Sequence, residues 1–242
     1  MPEWILKLGK DFHTAFIVDD RWKYLVEGVQ NTLILTFFAL ILGVVLGIVI
    51  AAIRVTYDKQ YDHMKKGIGK FLLCIGNGIS KVYLTVIRGT PSMVQILIIF
   101  FIIMASSNNK MLCGIIAFGI NSAAYVAEII RGGIMSIDGG QSEAGRSLGF
   151  NYIQTMWYIV LPQTFKNILP ALANEFIVLL KETAIAGYVG VTDLTRGANI
   201  IRGITYQSFW PLLSIAAIYL IMVMFFTWLM GILERRLRKS ER

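Results

Sequence analysis

The sequence predicts an all-α integral membrane bundle of about five crossings, and three observations carry that prediction. Of the 242 residues, 56% are hydrophobic and only 16% are charged, which is too little charge for a water-soluble domain of this length. The apolar residues come in long runs. Thr32 to Ile53 and Ser208 to Leu233 contain no charged residue, and about 20 apolar residues in a helix cross a hydrocarbon layer about 30 Å thick. The basic residues behind the net charge of +8 gather at the ends of these runs, the distribution that cytoplasmic loops of membrane proteins show. That placement accounts for the basic balance without nucleic acid as a partner.

In chain order, residues 1–27 set Trp4, Phe12, Phe16, Trp22 and Tyr24 beside Lys7, Lys10, Arg21 and Lys23. This composition suits an interfacial segment lying along the membrane surface. The run Thr32–Ile53 is too long for the apolar region of a cleavable signal, and it reads as the first span. Its Gly43 and Gly47 form a small-xxx-small pair, predicting one face that approaches another helix closely. Residues 54–70 carry Arg54, Lys59, Lys65, Lys66 and Lys70 against Asp58 and Asp62, so they read as cytoplasmic.

Residues 68–105 read as one kinked or broken outward crossing with Pro91 inside it, and 111–137 as the return. Gly139 and Gly140 are expected to stop that helix. Residues 151–191 form a long outward element that Pro162 and Pro170 should interrupt. An outer loop at 192–207 and a last span at 208–233 follow. The strongly basic tail ERRLRKSER places the C-terminus in the cytoplasm, and five crossings then place the N-terminus outside. The expected division is an interfacial segment (1–27), a transmembrane domain (28–237) and a basic tail (238–242).

One stretch stands apart: DGGQSEAGRSLGFNYIQTMWYIVLP, residues 138–162. Gln141, Ser142, Glu143 and Arg146 give a short helix a polar surface, with Ala144 and Leu148 on another face. Such a helix cannot span a bilayer and must lie at the surface, where another protein can dock. The spacing resembles the cytoplasmic loop of bacterial ABC-importer permeases: Glu-Ala-Ala, a Gly after three residues, then nine residues and Ile-x-Leu-Pro. Glu143, Ala144, Gly149, Ile159, Leu161 and Pro162 fit it, and Gly145 departs from it where the second Ala is expected. Arg88-Gly89-Thr90-Pro91, Asn121 to Glu128, Asn174-Glu175-Phe176 and Leu180-Lys181-Glu182-Thr183 are similar to patterns of the polar amino-acid permeases within that family.

The resemblance implies a type I ABC-importer permease bundle in the bacterial inner membrane, working by alternating access. Residues 138–149 would be the coupling helix, with Gly140, Glu143, Ala144, Arg146 and Gly149 seated against the ATPase and Gly149 as pivot. Its implied partners are two ABC ATPase subunits, a second permease chain (identical or not), an extracytoplasmic solute-binding protein, membrane lipid and the amino-acid substrate. ATP and Mg²⁺ would sit on the ATPase, leaving this chain without a cofactor.

An amino acid needs donors for its carboxylate and acceptors for its ammonium, because unpaired charge in low dielectric is costly. Arg88 and Gln95, Asn121 and Glu128, and Glu175 and Glu182 are each seven residues apart, two helical turns on one face. Tyr125 shares the face of Asn121. Arg88 is therefore expected to meet the substrate carboxylate with help from Gln95 and Asn121. Glu182, with Glu175, would take a positive group, which favours arginine, lysine or histidine over glutamine, glutamate or cystine.

Plainer readings stand beside these. Lys181 could pair with Glu175 or Glu182, and Arg88 could snorkel to headgroups or meet the second permease chain. Glu128 and Arg131 are expected to form an intrahelical pair. Gln95, Asn121 and Tyr125 could each satisfy backbone or interhelical bonds.

Other classes find little support. No phosphate-binding loop occurs, since Gly67-Ile68-Gly69-Lys70-Phe71 lacks its length and hydroxyl, and no Gly-x-Ser-x-Gly or His-Glu-x-x-His is present. Cys74 and Cys113 lie in apolar stretches, and His13 and His63 are far apart in sequence, so neither catalysis nor a metal site is indicated. A channel or assembly subunit remains the rival, but it would not need an ATPase-docking loop.

Overall fold

The computed structural model describes residues 3–239, with side chains described for residues 6–236; the end of the expected basic tail, 240–242, lies outside the described residues. Ten α-helices are described: α1 (Glu3–Phe12), α2 (Trp22–Gln60), α3 (Ile68–Gly89), α4 (Ser92–Ile98), α5 (Lys110–Met135), α6 (Gly139–Ser147), α7 (Tyr152–Thr155), α8 (Leu161–Glu182), α9 (Leu194–Thr205) and α10 (Phe209–Lys239). Four helical stretches are long and apolar enough to cross a membrane: Trp22–His63, Ile68–Gly89, Lys110–Met135 and Phe209–Arg236.

The centre of the fold is the seam between α2 and α5. At 39 residues, α2 is about 58 Å long at 1.5 Å per residue, so it extends the expected span 32–53 at both ends. The two helices run in the same direction, Gly43 lying against Ser122 and Gly47 against Val126. A Cβ at Gly43 would stand 3.0 Å from Ser122 Cβ, and one at Gly47 2.7 Å from Val126 Cγ1. Gly119 reciprocates from α5, where a Cβ would meet Leu42 Cδ2 at 2.6 Å. The small-residue pair therefore does what its spacing predicts: it removes side chains so that dispersion contacts form at close range. Toward one end of the seam, Leu35, Ala39, Ala117 and Phe118 are buried together. Toward the other, Ala51 and Val55 meet Val126, Ile130 and Ile134.

The kinked element α3–α4 and α8 run opposite to α5. Along α3 and α4, Leu84 packs with Ala124 and Ala127, Gln95 reaches Asn121, and Ile96 and Phe100 join Ala117 and Phe118. Residues 68–103 thus form one kinked element. Its break lies at Thr90–Pro91, both extended, because a residue before proline is disfavoured in the helical region. On α8, Ile168 packs with Ile134 and Glu175 meets Ser122. Pro162 and Pro170 do not interrupt α8 as expected. Pro162 sits in its first turn, where no intrahelical donor is needed, and Pro170 lies inside it. The irregularity instead falls just before it, in a π-helical turn at Met156–Val160.

The expected outer loop 192–207 is also a helix. Asp193 caps α9 by accepting from the Thr195 and Arg196 amides, and Leu194, Gly197, Ala198 and Ile201 form its buried stripe. That stripe lies on the start of α2 at backbone range: a Cβ at Gly28 would be 2.6 Å from Leu194 Cα, and one at Gly197 2.5 Å from the Tyr24 carbonyl oxygen. The N-terminal segment hooks over the same end. Trp210 donates to the Leu8 carbonyl and Gln207 to Asp11. α10 packs from outside, with Met222 buried beside Leu25 and Leu180.

Candidate functional site

Two sites follow from this arrangement, one at the bend between α5 and α8 and one midway along their contact. The first is α6. Gly139 and Gly140 do not stop α5, which ends at Met135; they open α6, because Asp138 caps it by accepting from the Gly140 amide at 2.7 Å. A small residue leaves that cap accessible. The other end is a Schellman motif: the Gly149 amide donates to Arg146 and the Phe150 amide to Gly145. Its geometry requires a left-handed residue, and Gly149 has φ of 84°, which glycine adopts without steric cost.

Gly145, the departure from the Glu-Ala-Ala pattern, is the buried residue of α6. A Cβ there would stand 2.9 Å from both Ile159 Cδ1 and Thr155 Oγ1. The missing methyl is thus the contact by which α6 seats on the turn leading into α8. Gly140, Glu143, Ala144 and Arg146 are exposed. Behind the helix, a groove of about 540 Å³ is lined by Lys59, His63, Glu143, Arg146 and Tyr152 among others.

The second site is in the bundle. Asn121 donates to Gln95 at 2.8 Å, while the Gln95 amide nitrogen reaches the Ile87 carbonyl at 2.7 Å and the Thr90 carbonyl at 3.0 Å. Gln95 therefore satisfies carbonyls left open where α3 ends. These two expected donors are turned on each other and on the α3–α4 break. Next to Asn121, Ser122 donates to Glu175 Oε1 at 2.8 Å, and both residues are buried. Glu182 lies half-buried two turns further along α8, next to the exposed Lys181.

Arg88 is exposed on the near side of the break, so it does not share a helical face with buried Gln95. Its guanidinium pairs with Glu128 at 3.7 Å and lies 6.0 Å from the Tyr125 ring. The expected Glu128–Arg131 pair is not formed: Arg131 reaches Asp58 on α2 at 3.4 Å instead. A helix face turned toward two neighbours gives each charge a partner across the seam rather than along it. Arg54, Lys81, Thr85, Arg88 and Glu128 line an open groove of about 500 Å³. Sequence spacing alone missed Ser122, Thr90 and Arg54; of these, only Ser122, adjacent to Asn121 in a helix otherwise rich in alanine, carried a visible signal.

A bundle of this kind, whose regular elements are all helical among the described residues and which is apolar enough to cross a membrane, is of the membrane-protein class, and residues 75–239 match the family of binding-protein-dependent transport system inner membrane components. The chain belongs to that family. It is 36% identical over 217 residues to a putative glutamine transport permease, GlnP, of Rickettsia typhi, covering 88% of this chain and 93% of the relative. It is 34% identical over 221 residues to the arginine transport permease ArtQ of Bacillus subtilis, covering 90% and 94%. A crystal structure of an amino acid ABC transporter with histidines superposes with a TM-score of 0.78 at 42% identity, covering 91% of this chain and 98% of that one. The inward-facing methionine transporter MetNI shares the fold, with a TM-score of 0.72 at 20% identity. The fold is that of type I ABC-importer permeases.

Proposed function

We propose that this chain is the permease subunit of an ATP-driven importer of cationic amino acids. The observation that carries the substrate class is the carboxylate pair on α8. Glu175 is buried in the bundle with the neutral Ser122 hydroxyl as its hydrogen-bond donor. Among the described residues no cation lies within ion-pair distance of it. A buried carboxylate without a cation is costly to the protein alone, and a guanidinium or ammonium brought by the substrate would relieve that cost. Glu182 lies two turns away to share the positive group. Arg88, now held by Glu128, would turn to the substrate carboxylate, with Gln95, Asn121 and Tyr125 alongside.

In this reading the chain crosses five times, through α2, α3 with α4, α5, α8 and α10, with the N-terminus outside and the C-terminus in the cytoplasm. Gly140, Glu143, Ala144, Arg146 and Gly149 on and beside α6 would engage one of two ATPase subunits, which hold ATP and Mg²⁺. A second permease chain and an extracytoplasmic binding protein complete the assembly. Binding of ATP would close the ATPase pair and turn the cavity outward, and hydrolysis would return it inward.

The test is uptake of labelled amino acids by proteoliposomes holding this chain, its ATPase and its binding protein. Competition by arginine, lysine and histidine, and a loss of about tenfold for Glu182→Gln (about 1.4 kcal/mol), are expected. Undiminished uptake of a basic amino acid by Glu182→Gln would sink the assignment. Glutamine is the second reading, favoured by the relatives named for it and by the Gln95–Asn121 amide pair; competition by glutamine alone would establish it.

A further inference from the structure

We propose that Ser122 is a positioning residue for cation selection: its hydroxyl fixes the Glu175 carboxylate, and Gly43 behind it makes the room that hydroxyl needs. The inference rests on the reading of Glu175 as a receiver of the substrate's positive group.

Ser122 has no exposed surface, and Glu175 is 8% exposed. The 2.8 Å bond between them joins helices 53 residues apart in sequence. It occupies one carboxylate oxygen and leaves the other, Oε2, for a ligand. A glutamate has three side-chain torsions, so without an anchor its carboxylate would occupy several positions, and a bond to an ionised acceptor is among the stronger fixings available. The third wall comes from α2: a Cβ at Gly43 would stand 3.0 Å from both Cβ and Oγ of Ser122. Adjacent Asn121 spends its amide on Gln95 of α4, so consecutive residues of α5 brace α4 and α8 separately. Gly43, Ser122 and Glu175 thus form one line across three helices, ending at the carboxylate.

A carboxylate held at a fixed point discriminates by charge, since a neutral side chain offered to it gains far less than a cation. Loss of the anchor should therefore weaken binding of arginine much more than binding of glutamine. A general packing fault would weaken both.

The experiment is equilibrium binding of labelled arginine and of labelled glutamine to the purified permease–ATPase complex, without binding protein. Ser122→Ala should raise the Kd for arginine about tenfold and that for glutamine less than twofold. Ser122→Cys, a weaker donor, should fall between. Gly43→Ala approaches the same hydroxyl from the other helix and should reproduce the selective loss. Equal losses for both ligands, or no loss for arginine, overturn the proposal. Glu175→Gln separates the two levels of the argument. If it abolishes the preference for arginine while Ser122→Ala does not, only the positioning role fails. If it leaves arginine binding intact, the receiver role fails and the positioning role falls with it.

Discussion

Replacing Gly145 by alanine restores the second Ala of the coupling-loop pattern, and two opposing contributions decide its effect. Alanine stabilises a helix interior over glycine by about 1 kcal/mol. Against that, the new methyl would stand 2.9 Å from Ile159 Cδ1, 2.9 Å from Thr155 Oγ1 and 3.0 Å from Thr155 Cγ2. The isoleucine tip can rotate away. Thr155 cannot easily do so, being β-branched and 4% exposed. Overpacking of this kind costs about 1–3 kcal/mol, so a net loss of about 1 kcal/mol in the seating of α6 is expected, a factor of about five in its opening equilibrium. Hydrogen exchange of the α6 amides in the purified complex reads this directly, with the α2 amides as internal reference. Faster α6 exchange should be reversed in the double variant Gly145→Ala, Thr155→Ala, because Thr155 Oγ1 has no hydrogen-bond partner to lose. Slower exchange in Gly145→Ala alone would refute the argument, since propensity would then outweigh packing.

Three further outcomes are expected. Gly149→Ala meets no atom within 4 Å, so its cost is the left-handed backbone alone, about 1–2 kcal/mol; co-purification of the ATPase should fall severalfold, and Gly149→Asn should retain more than Gly149→Ala. Asp193, outside the spanning segments, is pushed by burial from 3.8 up to about 6 against the helix-cap amides that lower it. Because the folded value is the higher one, its contribution is present below about pH 4 and lost as pH rises through 6, at most about 3 kcal/mol. Asp193→Asn should keep the cap and shrink the fall in thermal stability between pH 4.5 and 7.5; an unchanged fall would exclude Asp193 as its source. Gly28→Ala places a methyl 2.6 Å from the backbone of Leu194, where no rotamer offers relief, so a loss of about 3 kcal/mol should appear as lost exchange protection in α9. Unchanged protection would contradict the close approach.

The long apolar runs made the spans legible because burial in lipid tolerates few charges, and the Gly43–Gly47 spacing announced the seam before its partner was known. What stayed hidden depended on neighbours. Residues 192–207 look polar because Arg196, Asn199 and Arg202 face outward, although Leu194, Gly197, Ala198 and Ile201 keep a helical stripe and Asp193 marks its start. Gln95 reads as a substrate donor until the break at Pro91 supplies carbonyls that need it. Glu128 and Arg131 have helical spacing, yet Arg88 and Asp58 lie closer across the seams. The glycine pair that opens α6 looks like a stop because only its neighbour, the capping Asp138, marks it as a helix start. Pro162 falls in the first turn of α8, just after a π-helical turn, and Pro170 lies inside that helix without ending it.

The hairpin of α5 and α8 closes at its lower end through α6, with only Ser136, Ile137 and Asp138 between α5 and that helix. Its upper arms carry Ser122 and Glu175, about 20 Å along α5 from Met135 at 1.5 Å per residue. The pair therefore has the form of tongs, held at the bend and carrying along its arms the two groups whose bond sets the carboxylate. A force applied to the bend enters α5 through residues 136–138 and α8 through the contact of Gly145 with Thr155 and Ile159. A change at that contact should for that reason alter how a displacement of α6 divides between the two arms, a mechanical ratio distinct from how tightly either end binds.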